Sequence, residues 1–280
     1  MDVLSDVIAV MRTGKPVAAR VGWQAPWSQE FAPVPGAAGF QVVLHGACHL
    51  LRPETEPLVL SAGDVVFLPH AQGHTLTGQG DTVTLCGAYE VAPARVHPML
   101  LDLPEVVHLS ARDELRSAIE LLDVELRHPH LGTDALVPAL LDTLLVYLLR
   151  AWFAEQPARS ATGWAAALND PVVSAALQAM HHDPARPWTV AKLAAEAGLS
   201  RAPFAQRFAA LTGRPPMTYL TWWRMTIAAR LLRESDAPLN AVAGEVGYRS
   251  EFAFAAAFKR EHGVAPGRYR RAVPGGVGEG

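Results

Sequence analysis

The sequence predicts an α+β chain of two domains: a small antiparallel β-barrel or jelly roll with a helical extension, followed by an all-α domain built on two helix-turn-helix units. Three observations carry this prediction. The apolar period is short, strand-like and punctuated by turns between Phe40 and Glu90, then becomes helical beyond Pro104. A helix–Gly–helix grammar occurs twice in the last third, ending at Ser200 and again at Ser250. Charge also changes sign along the chain. Residues 1–170 hold 10 Lys/Arg against 19 Asp/Glu, net −9, whereas residues 171–280 hold 14 against 8, net +6.

In the first half, Phe40–His45, Pro57–Leu60, Asp64–Leu68 and Thr82–Cys86 are β-rich runs separated by Gly46, Gly63, Gly73 and Gly78, with Gly87 after the last. Short strands with regular turn signals fit a closed or two-sheet architecture. From Asp113 to Arg127 the residues Leu115, Ile119, Leu122 and Leu126 share one helical face. A second, strongly apolar helix places Leu136, Leu140, Leu144, Tyr147 and Leu148 together. Two such helices must cover the barrel or pair with another subunit, and dimerisation is the expectation. The stretch Ala135 to Phe153 is broken by Pro138, Asp142 and Arg150 and reads as a buried helix, not a membrane span. The expected boundaries are 1–155 for the barrel and its helices, 156–170 for a linker, 171–273 for the helical domain and 274–280 for a disordered tail.

Composition narrows the class. Half of the 280 residues are hydrophobic and 18% are charged, with 22 Gly and 22 Pro, which excludes a rod, a collagen-like chain and a mostly disordered one. The start, with Asp2 and Asp6 and no basic segment, does not read as a secretory signal, so a soluble cytoplasmic protein is expected. Two cysteines cannot build a disulfide scaffold. Neither a phosphate-cradling Gly-rich loop nor a Gly-x-Ser-x-Gly or His-Glu-x-x-His pattern is present, and no catalytic residue is assigned.

The helical half carries the strongest signal. Thr189 can cap a first helix, Gly198 can take the turn, Leu199 can plug the angle between helices, and Ser200 can cap the next helix. That helix, Arg201 to Leu211, keeps Phe204, Phe208 and Leu211 inside and leaves Ala202, Ala205, Gln206 and Ala209 outward or flanking. The repeat runs through Gly247 and Ser250 into Glu251 to His262, with Phe254, Ala257 and Phe258 inward. Between them a long helix, Pro216 to Glu234, has Tyr219, Leu220, Trp223, Ile227 and Leu231 at helical spacing. A rigid spacer of this kind can hold two recognition helices in major-groove segments about 34 Å apart.

These residues resemble the DNA-binding domain of AraC/XylS-type transcriptional regulators. Residues 171–273 carry Ala191-x-Leu193-Ala194, Gly198-Leu199-Ser200, Phe204-x-x-x-Phe208, Gly213-x-x-Pro216, Tyr219-Leu220, Arg224-Met225, Val246-Gly247-Tyr248, Phe258-Lys259 and Pro266-x-x-Tyr269-Arg270. The resemblance implies a seven-helix domain that inserts two helices into adjacent major-groove segments of double-stranded promoter DNA, with RNA polymerase as a further partner. Its base-reading positions fall on Ala202, Ala205 and Gln206 in one helix and on Glu251, Phe252, Ala253 and Ala256 in the other. Gln206 can pair with adenine, Glu251 can accept from cytosine, and Phe252 or the alanines can meet thymine methyls. Arg201, Arg207, Arg249, Lys259 and Arg260 flank these helices and are expected on phosphates.

Residues 8–105 resemble the cupin-type effector domain of one branch of that family, through Phe40-x-Val42-x-x-x-Gly46-x-Cys48, Gly63-Asp64-Val65-Val66-x-Leu68-Pro69, His74 and Cys86-Gly87-x-Tyr89. The resemblance implies a cupin-like barrel that senses a small-molecule effector of unknown identity. Catalytic cupins pair two histidines with a carboxylate and a further histidine; here only His74 keeps its place, and His45-x-x-Cys48-His49 stands without the carboxylate. The candidate effector or redox residues are His45, Cys48, His74 and Cys86. They allow three uses: a Zn or Fe site, thiol oxidation, or plain packing of the cysteines. Strand alternation opposes the first, since it sets His45 and Cys48 on opposite faces unless a bulge at Gly46 intervenes. A cupin metalloenzyme, a dioxygenase or isomerase with an accessory helical domain, is the alternative. His128, His130, His181 and His182 are expected in solvent.

Overall fold

The computed structural model describes residues 2–11, 15–90, 97–156 and 163–272. The chain divides into two compact units, Met11–Pro157 and a second made of Met1–Val10 with Ala158–Gly280. A short helix, α1 (Val3–Met11), opens the chain.

In the first unit the strands are β1 (Val17–Trp23), β2 (Trp27–Phe31), β3 (Ala37–His45), β4 (Ala47–Leu51), β5 (Leu58–Ser61), β6 (Val65–Leu68), β7 (His74–Gly78), β8 (Thr82–Glu90) and β9 (Val107–Leu109). They form two antiparallel sheets, β1-β8-β3-β6-β9 and β2-β7-β4-β5. Val43, Val66 and Leu68 from the first sheet meet Cys48, Leu50, Leu60 and Leu76 from the second in one core. The expected small β architecture is therefore a two-sheet, cupin-like fold.

Strand β3 is buried on both faces, and its alternation assigns each side chain to one of them. Gly39, Gln41 and Val43 share the face toward the second sheet, while Phe40 and Val42 share the other. That outer face is covered by helices: α2 (Pro98–Leu101), α3 (Asp113–Arg127) and α4 (Thr133–Glu155) come after β8 in the chain. Tyr89 of β8 donates a 2.6 Å hydrogen bond to the Leu141 carbonyl of α4, and Arg20 of β1 pairs with Asp123 of α3 at 2.7 Å. Phe40 lies over Gly87, where a Cβ would come within 2.4 Å of its ring, so the strand crossing requires glycine.

Helix α3 buries Leu115, Ile119 and Leu122 as its period predicts, with Ala118 added. The α4 face differs from the expected one. Val137, Leu141, Leu144, Leu148, Leu149 and Phe153 are buried, whereas Leu136 and Tyr147 are exposed. The helix is apolar nearly all round, so the period alone does not select a face. It is long and apolar enough to cross a membrane by composition, yet its buried stripe packs within this unit.

The second unit contains α5 (Trp164–Asn169), α6 (Pro171–His182), α7 (Val190–Glu196), α8 (Arg201–Thr212), α9 (Pro216–Glu234), α10 (Leu239–Glu245), α11 (Glu251–His262) and α12 (Pro266–Ala272). Two boundary expectations change. The segment expected as linker 156–170 contains α5, whose Trp164, Ala165 and Ala167 are buried; Gly163 and Pro157 disguised a short apolar helix as a connector. Residues 157–162 and the expected tail 274–280 lie outside the described residues. Residues 1–10, assigned from sequence to the barrel, group with the helical unit, where Asp6 of α1 meets His181 of α6.

Candidate nucleic-acid interface and barrel cavity

The two helix-turn-helix corners share the same turn geometry. In the first, Gly198 adopts φ +69° and the Leu199 amide donates to the Ala194 carbonyl at 2.9 Å. In the second, Gly247 adopts φ +81° and the Tyr248 amide donates to the Ala243 carbonyl at 2.8 Å. This is the 6→1 closure of a helix by a left-handed residue, which only glycine adopts without strain. Caps differ. Thr189 accepts from the Lys192 amide at 3.2 Å and Ser250 from the Ala253 amide at 3.4 Å, but Ser200, expected to cap α8, makes no side-chain cap bond.

Helix α9, 19 residues or about 28 Å long, serves both corners. Its first half sends Tyr219 and Trp223 into a core with Phe204 and Phe208 of α8. Its second half sends Met225, Ala228, Ala229 and Leu232 against Val242, Val246, Phe254 and Phe258. Ile227 and Leu231, expected inside, are only partly buried, because the spacer's inner stripe turns as it passes from one corner to the other. Arg224 joins the corners: its Nε donates to the Pro184 carbonyl at 2.7 Å, an Nη donates to the Arg186 carbonyl at 2.9 Å, and the guanidinium lies 5.9 Å from the Tyr248 ring.

The outward faces follow the sequence. Ala202 and Gln206 of α8 and Glu251, Phe252, Ala253 and Ala256 of α11 are exposed, and Ala205 is partly so. Phe252 stands 84% exposed while Phe254 and Phe258 fill the core beneath it. Arg201, Arg249, Lys259 and Arg260 are exposed at the flanks. Arg207 is different, since it forms an ion pair with Asp170, the residue that caps α6 through the Val172 and Val173 amides at 3.0 and 2.9 Å.

Behind α8 lies a buried polar stack. His181, expected in solvent, is 6% exposed, stacks on Trp223 at 3.9 Å and meets the Tyr219 hydroxyl at 2.7 Å through Nε2, with Nδ1 3.4 Å from Asp6. Burial pushes its pKa down, so the ring is held neutral. Its position in the last turn of α6 reads as exposed from sequence; the docking of α1 and α9 on it does not show in local pattern.

The four barrel candidates do not converge. His45 is exposed at the end of β3, past a register shift between Val43 and His45. Cys48 is buried in the inter-sheet core, where burial and the Asp64 charge push its thiol up to about 11. His74 and Cys86 instead line a cavity of about 350 Å³ between the sheets, with Phe31, Leu68, Ala88 and Gln41 among its walls. The bulge that had to bring His45 inward leaves it in solvent. Among the described residues no group of three His, Cys, Asp or Glu side chains is arranged to hold a metal. Burial raises the Cys86 pKa as well, so both thiols are protonated at neutral pH, the less reactive form.

Sequence reasoning missed Gln41. It faces Cys86 directly across the β3–β8 ladder and approaches His74 from the other sheet at 3.1 Å. The signal was its parity with Gly39 and Val43, which puts an amide on an inward face.

Comparison with known proteins finds both parts, although the first match includes the opening helix that groups with the helical unit. Residues 2–154 match a family model described as Cupin, and residues 193–272 match one described as Helix-turn-helix domain. A putative AraC-like transcription regulator of Streptomyces antibioticus is 36% identical over 301 residues, covering 97% of this chain and 99% of its own. The RCS-specific HTH-type transcriptional activator RclR of Escherichia coli (strain K12) is 34% identical over 242 residues, 84% of each chain. Among solved structures, the DNA-binding domain of AdpA in complex with a target DNA is 39% identical, covering 37% of this chain and 92% of that one, with a TM-score of 0.35. With more than half of the chain in the cupin match and a relative of this identity along nearly its whole length, the chain belongs to the AraC-like transcriptional regulators, DNA-binding proteins that here carry a cupin-like N-terminal domain.

Proposed function

We propose that this regulator reads a specific promoter sequence with α8 and α11 in successive major-groove segments, and that a small molecule in the barrel cavity sets its affinity for that DNA. The observation that carries the first part is the repeated corner: two recognition helices with matching turn geometry, joined by one continuous spacer and a shared arginine. Gln206 and Glu251 read bases, Phe252 and the outward alanines meet thymine methyls, and Arg201, Arg249, Lys259 and Arg260 hold phosphates. Arg207 contributes less than these, being committed to Asp170.

The second part rests on an apolar cavity in the cupin-like unit. The protein acts by binding, not catalysis, in the cytoplasm where promoter DNA and RNA polymerase are met. Leu121 and Val124 of α3 with Leu136 and Tyr147 of α4 are exposed apolar side chains that a homodimer would cover.

Selection from random duplexes with the full chain supplies the operator. Ala88→Leu, which fills the cavity, is then expected to change operator affinity at least about fivefold without changing the salt dependence of binding. Equal affinity for wild type and variant would remove the coupling, and failure to select any sequence would remove the reading itself.

A further inference from the structure

The walls of the cavity that carries the effector reading hold no charge. Among the described residues that line it there is no Lys, Arg, Asp or Glu. Its polar side chains are Gln41, Gln72, His74 and Cys86, and each is already engaged within the protein. His74 Nδ1 lies 3.2 Å from the Gln72 carbonyl oxygen, which can only accept, so this nitrogen carries a hydrogen. Burial keeps the ring neutral, and at 3.1 Å its Nε2 accepts from the Gln41 amide nitrogen. Gln41 Oε1 is fully buried, out of reach of anything in the cavity. The Gln72 amide nitrogen donates to Glu105 at 3.2 Å, and the Cys86 thiol lies 3.7 Å from the Ala19 carbonyl oxygen. A ligand therefore meets no counter-charge and little hydrogen-bonding capacity.

Two further features bear on what fills this space. Val17 and Val34 line the cavity and are 62% and 56% exposed, so its mouth is apolar surface facing water. The strand positions around it are held by small residues, Ala19 of β1, Ala37 and Gly39 of β3 and Ala88 of β8. At Gly39 an added Cβ would have its nearest neighbours at 3.8 Å, an ordinary contact, so the backbone does not demand glycine there. The missing side chain leaves room instead. Water gains little from such a volume, because an ordered water needs two to four polar partners.

Resting on the proposal that the cavity is the effector site, we propose that its ligand is an uncharged, compact hydrophobic molecule that fits within about 350 Å³. It is held by burial of apolar surface and by shape, not by hydrogen bonds. Carboxylates and ammonium ions of the same shape are rejected, since each would lose its hydration and find no opposite charge. Gly39 and Ala88 set the size that is admitted.

Fluorescence titration of the full chain at neutral pH with four naphthalenes tests this: 2-methoxynaphthalene, 2-naphthol, 2-naphthoate and 2-naphthylmethylammonium. The ether and the alcohol should bind within about threefold of each other, and each ion at least about tenfold more weakly than the ether. Ala88→Leu, which fills the cavity, should weaken the ether at least about tenfold; Gly39→Leu serves as a second filling variant if the first does not fold. An ion bound as tightly as the ether, or a larger preference for the alcohol, overturns the ligand class while leaving the cavity as a ligand site. Binding of no probe, or ether binding indifferent to filling, overturns both this assignment and the cavity's role in the proposed function.

Discussion

Two buried histidines, one in each unit, make opposite use of the same chemistry. Both are held neutral by burial, and both hydrogen-bond a polar neighbour within an aromatic setting. His181 closes a packed core: Trp223 covers its face, Tyr219 takes one nitrogen, and Asp6 faces the other. His74 instead ends at a cavity and passes its order to Gln41, whose oxygen is left unpaired. A buried polar group surrounded by complementary side chains is structural. The His74 ring instead borders open apolar space, the cavity that the proposed function assigns to a ligand.

This contrast can be broken most forcefully at the packed end. Trp223→Ala removes a 1%-exposed ring and should destabilise the helical unit by about 3–5 kcal/mol, measured by urea unfolding with circular dichroism. Gln41→Leu in the barrel should cost about 1–2 kcal/mol, since it removes an unsatisfied acceptor but leaves His74 Nε2 without its donor. A large loss in Gln41→Leu would mean that the amide is structural and the contrast false.

Gly247→Ala comes next. Its φ of +81° and an added Cβ only 2.7 Å from the Ala185 carbonyl oxygen predict a loss of about 1–3 kcal/mol. Gly198→Ala, at φ +69° with open space around it, should cost less. Equal losses would show that strain alone, not the contact with Ala185, sets the second corner.

Acid sharpens the comparison further. A histidine whose folded pKa is depressed contributes stability that is complete above its unfolded pKa, about 6.5, and is lost as pH falls below it, because the unfolded state binds the proton first. Unfolding tracked from pH 7.5 to 5 should therefore show the helical unit weakening, with part of that slope absent in His181→Leu. An unchanged slope would mean that His181 is not held neutral. The smallest effect is at the caps: Ser250→Ala should cost about 0.5–1 kcal/mol and Ser200→Ala a few tenths at most, since only Ser250 makes the bond.

The helical unit was largely legible because each corner demands a residue type at a fixed place: glycine at the left-handed turn, phenylalanines four apart beneath the outward face. The barrel was legible where strands are fully buried, as at Val65–Leu68. It was not at β1 and β2, whose side chains alternate only between exposed and half-buried and so leave a weak period. Helix α5 was hidden by its brevity between breakers, and the α4 face by hydrocarbon on every side. His45, Cys48, His74 and Cys86 were grouped by residue type, but a site is set by strand parity and sheet partner. Parity takes His45 to solvent, and sheet pairing sets Gln41 opposite Cys86.

The proposed reading has two helices gripping one side of a duplex. Hydroxyl-radical footprinting of the full chain on its selected operator, from low to physiological salt, addresses this most directly. Two protected patches on one face, centred about 10 base pairs apart, are the predicted result, with Gln206→Ala relaxing sequence preference in one patch and Glu251→Ala in the other. A single patch, or protection indifferent to both substitutions, would contradict it.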